Sequence, residues 1–221
     1  MAHYDLEEQE QLAQIKHFWN RYGNLIASVL IVVFGGIAAF NGWNYWQRNQ
    51  ASQAAVLFDE VEKAAAAKDA EKLERTLSDI RTQFGKTTPA AQAALIAASS
   101  YVELGQLDKA KAALQWVAES SKDAAYQGVA RLRLAGLAMD AQQWDEAGRW
   151  LTFDFPEAFK PMAADRQGDV WKLQGQADKA VAEYRKAWEG MDKTNEYRQL
   201  IAVKLAALGV VVETPSEGAA R

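Results

Sequence analysis

The most prominent hydrophobic feature is a run of 26 uncharged residues, from Tyr22 to Gln47. A transmembrane helix needs about 20 consecutive, mainly apolar residues to cross about 30 Å of hydrocarbon, so this run can span a bilayer with some tilt. The run therefore predicts a transmembrane signal anchor over residues 22–47. Aromatic rings suited to the headgroup level flank its apolar centre. They are Trp19 and Tyr22 on one side, and Trp43, Tyr45 and Trp46 on the other.

Two other structures share part of this pattern. A buried core helix of a soluble protein seldom shows so long an uncharged run between aromatic belts. A cleaved signal peptide has a basic leading region, whereas residues 1–21 carry a net charge of -2, and no small-x-small cleavage site follows the run. Lys16 and Arg21 precede it and Arg48 follows it, a bias that favours a cytoplasmic tail over residues 1–21. The remaining chain would then be periplasmic in a Gram-negative bacterium.

Small residues recur on one face of the predicted membrane helix. Gly35 with Ala39, and Ala38 with Gly42, form small-xxx-small pairs that let another transmembrane helix approach closely. These four positions are candidate helix contacts, although Gly and Ala are also common in membrane helices generally.

After the anchor, apolar residues recur at the helical spacing of three and four, and strand-like alternation is missing. The phrase LGQLDKA, ending at Ala110, recurs as AQQWDEA ending at Ala147 and as QGQADKA ending at Ala180. These alanines lie 37 and 33 residues apart, which brackets the 34-residue period of tetratricopeptide repeats (TPR). The repetition predicts an all-α protein, in which a TPR-like solenoid of about four helical hairpins follows the membrane helix. An irregular helical bundle is the alternative.

The residue types in the phrase predict its local structure. Its Gly suits the left-handed conformation that ends a helix, its Asp is expected to cap the next helix, and its Ala allows two helices to pack closely. In the middle repeat Gln142 replaces the Gly, and the second helix is expected to be short near residues 153–156. A degenerate repeat precedes these, with helices over 52–67 and after a capping Asp69. A closing helix over 197–205, capped near Thr194 or Asn195, ends a domain of residues 48–209; residues 210–221 are expected to be disordered.

Composition narrows the possible chemistry. The chain contains no cysteine, and His3 and His17 both precede the membrane run, so neither thiolate chemistry nor a histidine-based metal site is expected in the soluble domain. A net charge of -4 gives no basic field for nucleic acid. Asp165 and Asp169 lie one helical turn apart and are interpreted as a solvated helix face. The sequence thus predicts a protein that binds other proteins, with no cofactor and no enzymatic activity.

The first helix of each TPR hairpin lines the groove in which such arrays bind partners. Counting back from the three helix ends predicts a mostly apolar partner-binding groove, because exposed apolar patches usually mark interaction sites. The alternative is that the closing helix fills this groove itself. The predicted groove residues are Leu95, Ser99, Val102, Val129, Leu132, Met139, Met162, Asp169 and Leu173.

From residue 4 to about 209 the chain resembles the YfgM-like ancillary subunits of the SecYEG translocon of Gram-negative bacteria. The resemblance rests on the tail LEEQEQLAQIKHFWNRYGN, the aromatic exit GWNYWQRNQ, the segment AAVLFDEV, the repeat phrases and the closing VKLAALG. It implies an inner-membrane protein with a periplasmic TPR-like domain. It also implies association with the translocon and with a membrane-anchored periplasmic chaperone of the prolyl-isomerase type, to which exported client proteins would pass. The alternative function is a structural or regulatory scaffold of another envelope complex or of a stress-response regulator.

Overall fold

The computed structural model describes residues 6–212, which form helices and turns without any strand. The chain divides into two compact units, Met1–Gln50 and Ala51–Arg221. Most of the expected disordered tail, residues 213–221, lies outside the described range, as do the first five residues of the expected cytoplasmic tail.

The first helix, α1, runs over Leu6–Ala66. Within the described residues it is the one helix long and apolar enough to cross a membrane, by length and composition. The expectation of a separate helix beginning at residue 52 is wrong, because no proline or glycine interrupts the segment QRNQAS and helical hydrogen bonding continues through it.

The second unit is built from helical hairpins. The last part of α1 pairs with α2 (Ala70–Phe84), and α3 (Thr88–Glu103) pairs with α4 (Leu107–Ser120). Next, α5 (Ala124–Asp140) pairs with α6 (Trp144–Leu151), and a short 3-10 turn, Glu157–Phe159, leads into α7 (Lys160–Leu173). The fourth hairpin is α7 with α8 (Ala177–Gly190), and α9 (Tyr197–Ala206) packs on α8. The predicted all-α fold is confirmed, and α6 is short, as its sequence suggested.

The turn inside each hairpin uses one residue in the left-handed conformation. Gly105 and Gly175 have φ of 70° and 75°, which glycine adopts without strain. Gln142 in the third hairpin and Lys68 in the first have φ of 58° and 54° at the corresponding step. The four residues are spaced by 37, 37 and 33 positions, so the degenerate first hairpin keeps the period of the others.

The predicted capping role of the phrase aspartates is wrong. The N-cap positions of α4, α6 and α8 are glutamines without side-chain cap bonds, and Asp108, Asp145 and Asp178 lie inside the first turn of those helices. There their negative charges interact favourably with the positive, N-terminal end of the helix dipole. Each such interaction stabilises an exposed helix end by about 0.3–1 kcal/mol. Asp69, by contrast, does cap α2, since its Oδ1 accepts from the amide of Lys72 at 3.0 Å.

Alanine allows the helices of the hairpins to pack closely. Ala110, Ala147 and Ala180 have no exposed surface, as their prediction as close-contact positions requires. The closing helix α9 buries Ile201 and Leu205 against α8. Its first amide, that of Tyr197, donates to the Asn195 side chain at 3.0 Å.

Candidate functional site

A cleft of about 690 Å³ opens along the first helices of the first three hairpins, and we call it the first-helix cleft. Leu95, Ile96 and Ser99 of α3 form its centre. Glu62, near the end of α1, and Arg133 of α5 flank it on either side. Volumes of this size are typical of ligand-binding pockets, and three successive hairpins contribute to this one. It is therefore a candidate place for a segment of another protein to bind.

The charges around the first-helix cleft balance. Glu62 and Glu103 contribute two carboxylates, and Lys68 and Arg133 contribute two cations. The Lys68 ammonium lies 3.9 Å from Glu103, and Nη1 of Arg133 donates to the carbonyl oxygen of Leu95 at 3.0 Å. With no net charge, and with Leu95 and Ile96 beside the small Ser99 at its centre, the cleft suits an uncharged segment with apolar side chains.

The structure brings together only some of the predicted groove residues. Leu95 and Ser99 line the first-helix cleft, with Leu95 nearly buried and Ser99 exposed. Val129, Leu132 and Met139 are half-buried against the hydrophobic core, which means that they contribute to packing. The exposed positions outside the cleft are Val102, Met162 and Leu173.

Asp169 does not lie in an open groove, because the closing helix contacts it. Lys204 of α9 places its ammonium 2.8 Å from Asp169 and 2.8 Å from both carboxylate oxygens of Asp165. Tyr184 donates its hydroxyl to Asp169 at 2.8 Å, and Tyr197 donates to Asp165 at 2.8 Å. These five residues form what we call the α7–α9 charge cluster. At this end of the domain α9 occupies the predicted groove position.

The interpretation of Asp165 and Asp169 as a solvated face is wrong. Asp165 is completely buried and Asp169 is 17% exposed. Burial, together with the hydrogen bonds to the two carboxylates, raises the pKa of Tyr184 and of Tyr197, so both phenols stay protonated and keep donating. The signal available in the sequence was the repeat register. Counting back ten residues from Gly105 and from Gly175 places Asp165 at the position of the inward-facing Leu95.

The small residues of the membrane helix lie on an unobstructed face. Ala38 and Ala39 are exposed, and a Cβ added at Gly35 or Gly42 would meet nothing within 4 Å. Their role as contacts for another helix stays a prediction.

Comparison with known proteins decides the family. A tetratricopeptide repeat-like domain family matches residues 16–210. A protein of Neisseria gonorrhoeae named ancillary SecYEG translocon subunit is 31% identical over 207 residues, covering 92% of this chain and 98% of the relative. The chain belongs to the family of ancillary SecYEG translocon subunits.

Two further members carry the same name. The protein of Aggregatibacter actinomycetemcomitans is 29% identical over 91% of this chain and 98% of its own length. That of Escherichia coli is 28% identical over 92% of this chain and 97% of its own length. The resemblance drawn from the tail, the aromatic exit and the repeat phrases is thereby confirmed, and it extends over nearly the whole of these three relatives.

Proposed function

We propose that this protein is a single-pass inner-membrane subunit that associates with the SecYEG translocon and binds other proteins through its TPR-like domain. The observation that carries the proposal is similarity to named ancillary translocon subunits over more than nine-tenths of the chain. The apolar segment of α1 supplies a membrane anchor, and the repeated hairpins supply a surface for protein binding.

We propose that the membrane anchor contacts the translocon and holds the TPR-like domain beside it. The face of Gly35, Ala38, Ala39 and Gly42 would contact a transmembrane helix of the translocon, since small residues allow close helix approach. Residues 1–21 would face the cytoplasm, because Lys16 and Arg21 precede the membrane segment. The TPR-like domain would then face the periplasm. Protease added to intact spheroplasts should digest the region after Gln47, and protection until lysis would refute this orientation.

The first-helix cleft is the proposed site for proteins in transit. Its balanced charge and the aliphatic side chains of Leu95 and Ile96 suit an uncharged, apolar segment of an exported client that has not yet folded. A membrane-anchored periplasmic chaperone of the prolyl-isomerase type would receive that client, so the protein links export to periplasmic folding. No catalytic residue, cofactor or metal is part of this proposal.

Purification of the tagged full-length chain from detergent-solubilised membranes tests the translocon assignment. We expect SecY to co-purify, and we expect Gly35→Leu with Gly42→Leu to reduce its yield several-fold. Gly36→Leu is the matched control, because residue 36 lies about 100° further round the helix. Absence of SecY from the wild-type preparation would refute translocon association.

Filling the first-helix cleft tests client binding separately. Ser99→Trp puts an indole into the cleft from an exposed position, so the fold should survive. Gln83→Trp, an exposed residue of α2 outside this cleft, is the control. We expect Ser99→Trp to lose cross-links to an arrested export intermediate while it retains SecY. Unchanged cross-linking would show that the cleft does not hold the client.

A further inference from the structure

A second cleft, of about 430 Å³, lies between α2 and α4, the second helices of the first two hairpins. We call it the second-helix cleft. Tyr101 of α3 contributes to its lining, and Leu77 of α2 and Trp116 of α4 provide apolar walls. None of its lining residues belongs to the first-helix cleft, so the two sites can be tested independently.

Arg81 gives the second-helix cleft its chemical character. Its guanidinium carbon lies 4.8 Å from the centroid of the Trp116 ring, and burial lowers the pKa of Arg81 from its ordinary value. Among residues 11–212, whose side chains the structure describes, no carboxylate comes within 4.0 Å of this guanidinium. Partial burial of a cation without an anion nearby costs free energy. The guanidinium also has several N–H donors that can bind an anion.

The other charges of the cleft cancel. The Lys109 ammonium lies 2.6 Å from Oε2 of Glu74, and the pair sits toward the beginning of both helices. The cleft therefore offers one unpaired positive charge, that of Arg81. A carboxylate carries one negative charge and fits the planar guanidinium fork, whereas a phosphoryl group near pH 7 carries a charge of about -1.5 to -2.

The length and walls of the cleft favour a peptide. Its α2 lining runs from Glu74 to Thr82, which is about 12 Å at 1.5 Å per residue and matches three or four residues of extended chain. Arg, Trp and Tyr are prominent among the residues that carry binding energy in protein interfaces, and here Arg81, Trp116 and Tyr101 line one cleft.

We propose that the second-helix cleft binds an acidic side chain on an extended segment of a partner protein, with the carboxylate on Arg81 and its neighbours against Trp116 and Leu77. This would be a second, charge-selective protein-binding site on the TPR-like domain. It does not depend on the translocon assignment, because it rests on the geometry of α2, α3 and α4 alone.

A peptide titration with the purified full-length protein in detergent micelles tests the proposal. The probe is a fluorescein-labelled, end-blocked peptide with the core Leu-Glu-Leu between Gly-Ser flanks, and its partner has Gln in place of Glu. By fluorescence anisotropy, we expect the Glu peptide to bind at least tenfold more tightly than the Gln peptide. Arg81→Gln should abolish this preference, and Arg75→Gln, an exposed position on the same helix outside the cleft, should retain it.

A second variant separates charge recognition from folding. Arg81→Lys keeps the charge and loses the planar fork, so it should show an intermediate preference with unchanged helical circular dichroism. Ser78→Trp should block both peptides by filling the cleft. Equal binding of the Glu and Gln peptides by the wild type would overturn the proposal. So would full preference in Arg81→Gln, or binding restricted to peptides with a free C-terminal carboxylate.

Discussion

The first helices of the second and fourth hairpins, α3 and α7, occupy equivalent places in the repeat, and two of the positions at which they differ separate an open face from a covered one. Aligned on Gly105 and Gly175, Leu95 and Ser99 of α3 correspond to Asp165 and Asp169 of α7. In α3 these positions line the open first-helix cleft. In α7 they are bound to Lys204 of the closing helix. The two aligned pairs thus lie on the same face of the repeat, which is open at α3 and covered by α9 at α7.

The regions around α3 and α7 also differ in the interactions that stabilise them. Around α3, alanines and aliphatic side chains pack against one another. In the α7–α9 charge cluster two carboxylates share one ammonium and two phenol donors, with Arg166 3.9 Å from Asp169. Buried ion pairs contribute little net stability over an apolar substitute, but removing one partner is strongly destabilising. The cluster therefore fixes where α9 docks more than it adds to overall stability.

The largest expected effect comes from removing the cation of the cluster. Lys204→Met leaves Asp165 and Asp169 buried without an ammonium, so the free energy of unfolding should fall by about 3–5 kcal/mol. Urea denaturation of the full-length chain followed by circular dichroism measures this. Lys172→Met, an exposed position on α7, should change it by less than about 0.5 kcal/mol.

A variant of α7 that carries the α3 residues at both aligned positions tests the comparison further. Adding Asp165→Leu and Asp169→Ser to Lys204→Met removes the unpaired charges and should recover part of the lost stability. Recovery is incomplete because Tyr184 and Tyr197 lose the carboxylates that accept hydrogen bonds from their hydroxyl groups. A triple variant as unstable as Lys204→Met alone would show that the cluster contributes more than charge compensation.

A smaller loss of stability is expected when the buried alanines of α4 and α8 are enlarged. Ala110→Leu and Ala180→Leu insert side chains where no surface is exposed, and overpacking of this kind typically costs about 1–3 kcal/mol. Ala182→Leu on the exposed side of α8 is the control. If the unfolding midpoints of the two buried variants match that of the wild type, the close-packing interpretation of these alanines is wrong.

Replacing a glycine by alanine should change the free energy of unfolding by about 1 kcal/mol, with a sign that depends on the φ angle of that glycine. Gly105→Ala forces an alanine into a left-handed conformation at a cost of about 1–2 kcal/mol, although a Cβ there meets no neighbour. Gly136→Ala lies within α5, also without a neighbour, and should stabilise by about 0.5–1 kcal/mol. Gln142→Gly should be neutral to slightly stabilising. Equal effects of Gly105→Ala and Gly136→Ala on thermal unfolding would contradict the left-handed assignment.

The sequence predicts what depends on local spacing. The helix ends at Gly105 and Gly175, the buried alanines and the short α6 all follow from residues within one repeat. The α7–α9 charge cluster could not be predicted in this way, because Lys204 lies 39 residues from Asp165. The misplaced aspartate caps have a different cause: each helix begins at the residue before the Asp, a shift too small for a phrase-level pattern to resolve.

The smallest effect is expected from an exposed ion pair, which provides the contrast with the buried cluster. Lys111 of α4 lies 2.7 Å from Oε1 of Glu146 of α6, with side chains 37% and 21% exposed. Exposed pairs are typically worth about 0.2–1 kcal/mol, so Lys111→Met should cost that much at neutral pH and low salt. The loss should shrink in 1 M NaCl, where the Debye length is about 3 Å.

The pH dependence of this pair has a definite sign. The hydrogen bond from Lys111 lowers the pKa of Glu146 below its ordinary value of 4.5. A depressed carboxyl pKa stabilises the folded state above the unfolded pKa, and this contribution disappears as pH falls through the folded value. The difference in urea midpoint between wild type and Lys111→Met should therefore be present at pH 7 and lost well below pH 4. Lys122→Met, in an exposed turn, should show no such pH dependence. A difference that persists in acid and in high salt would mean that the aliphatic stem of Lys111, rather than its charge, joins α4 to α6.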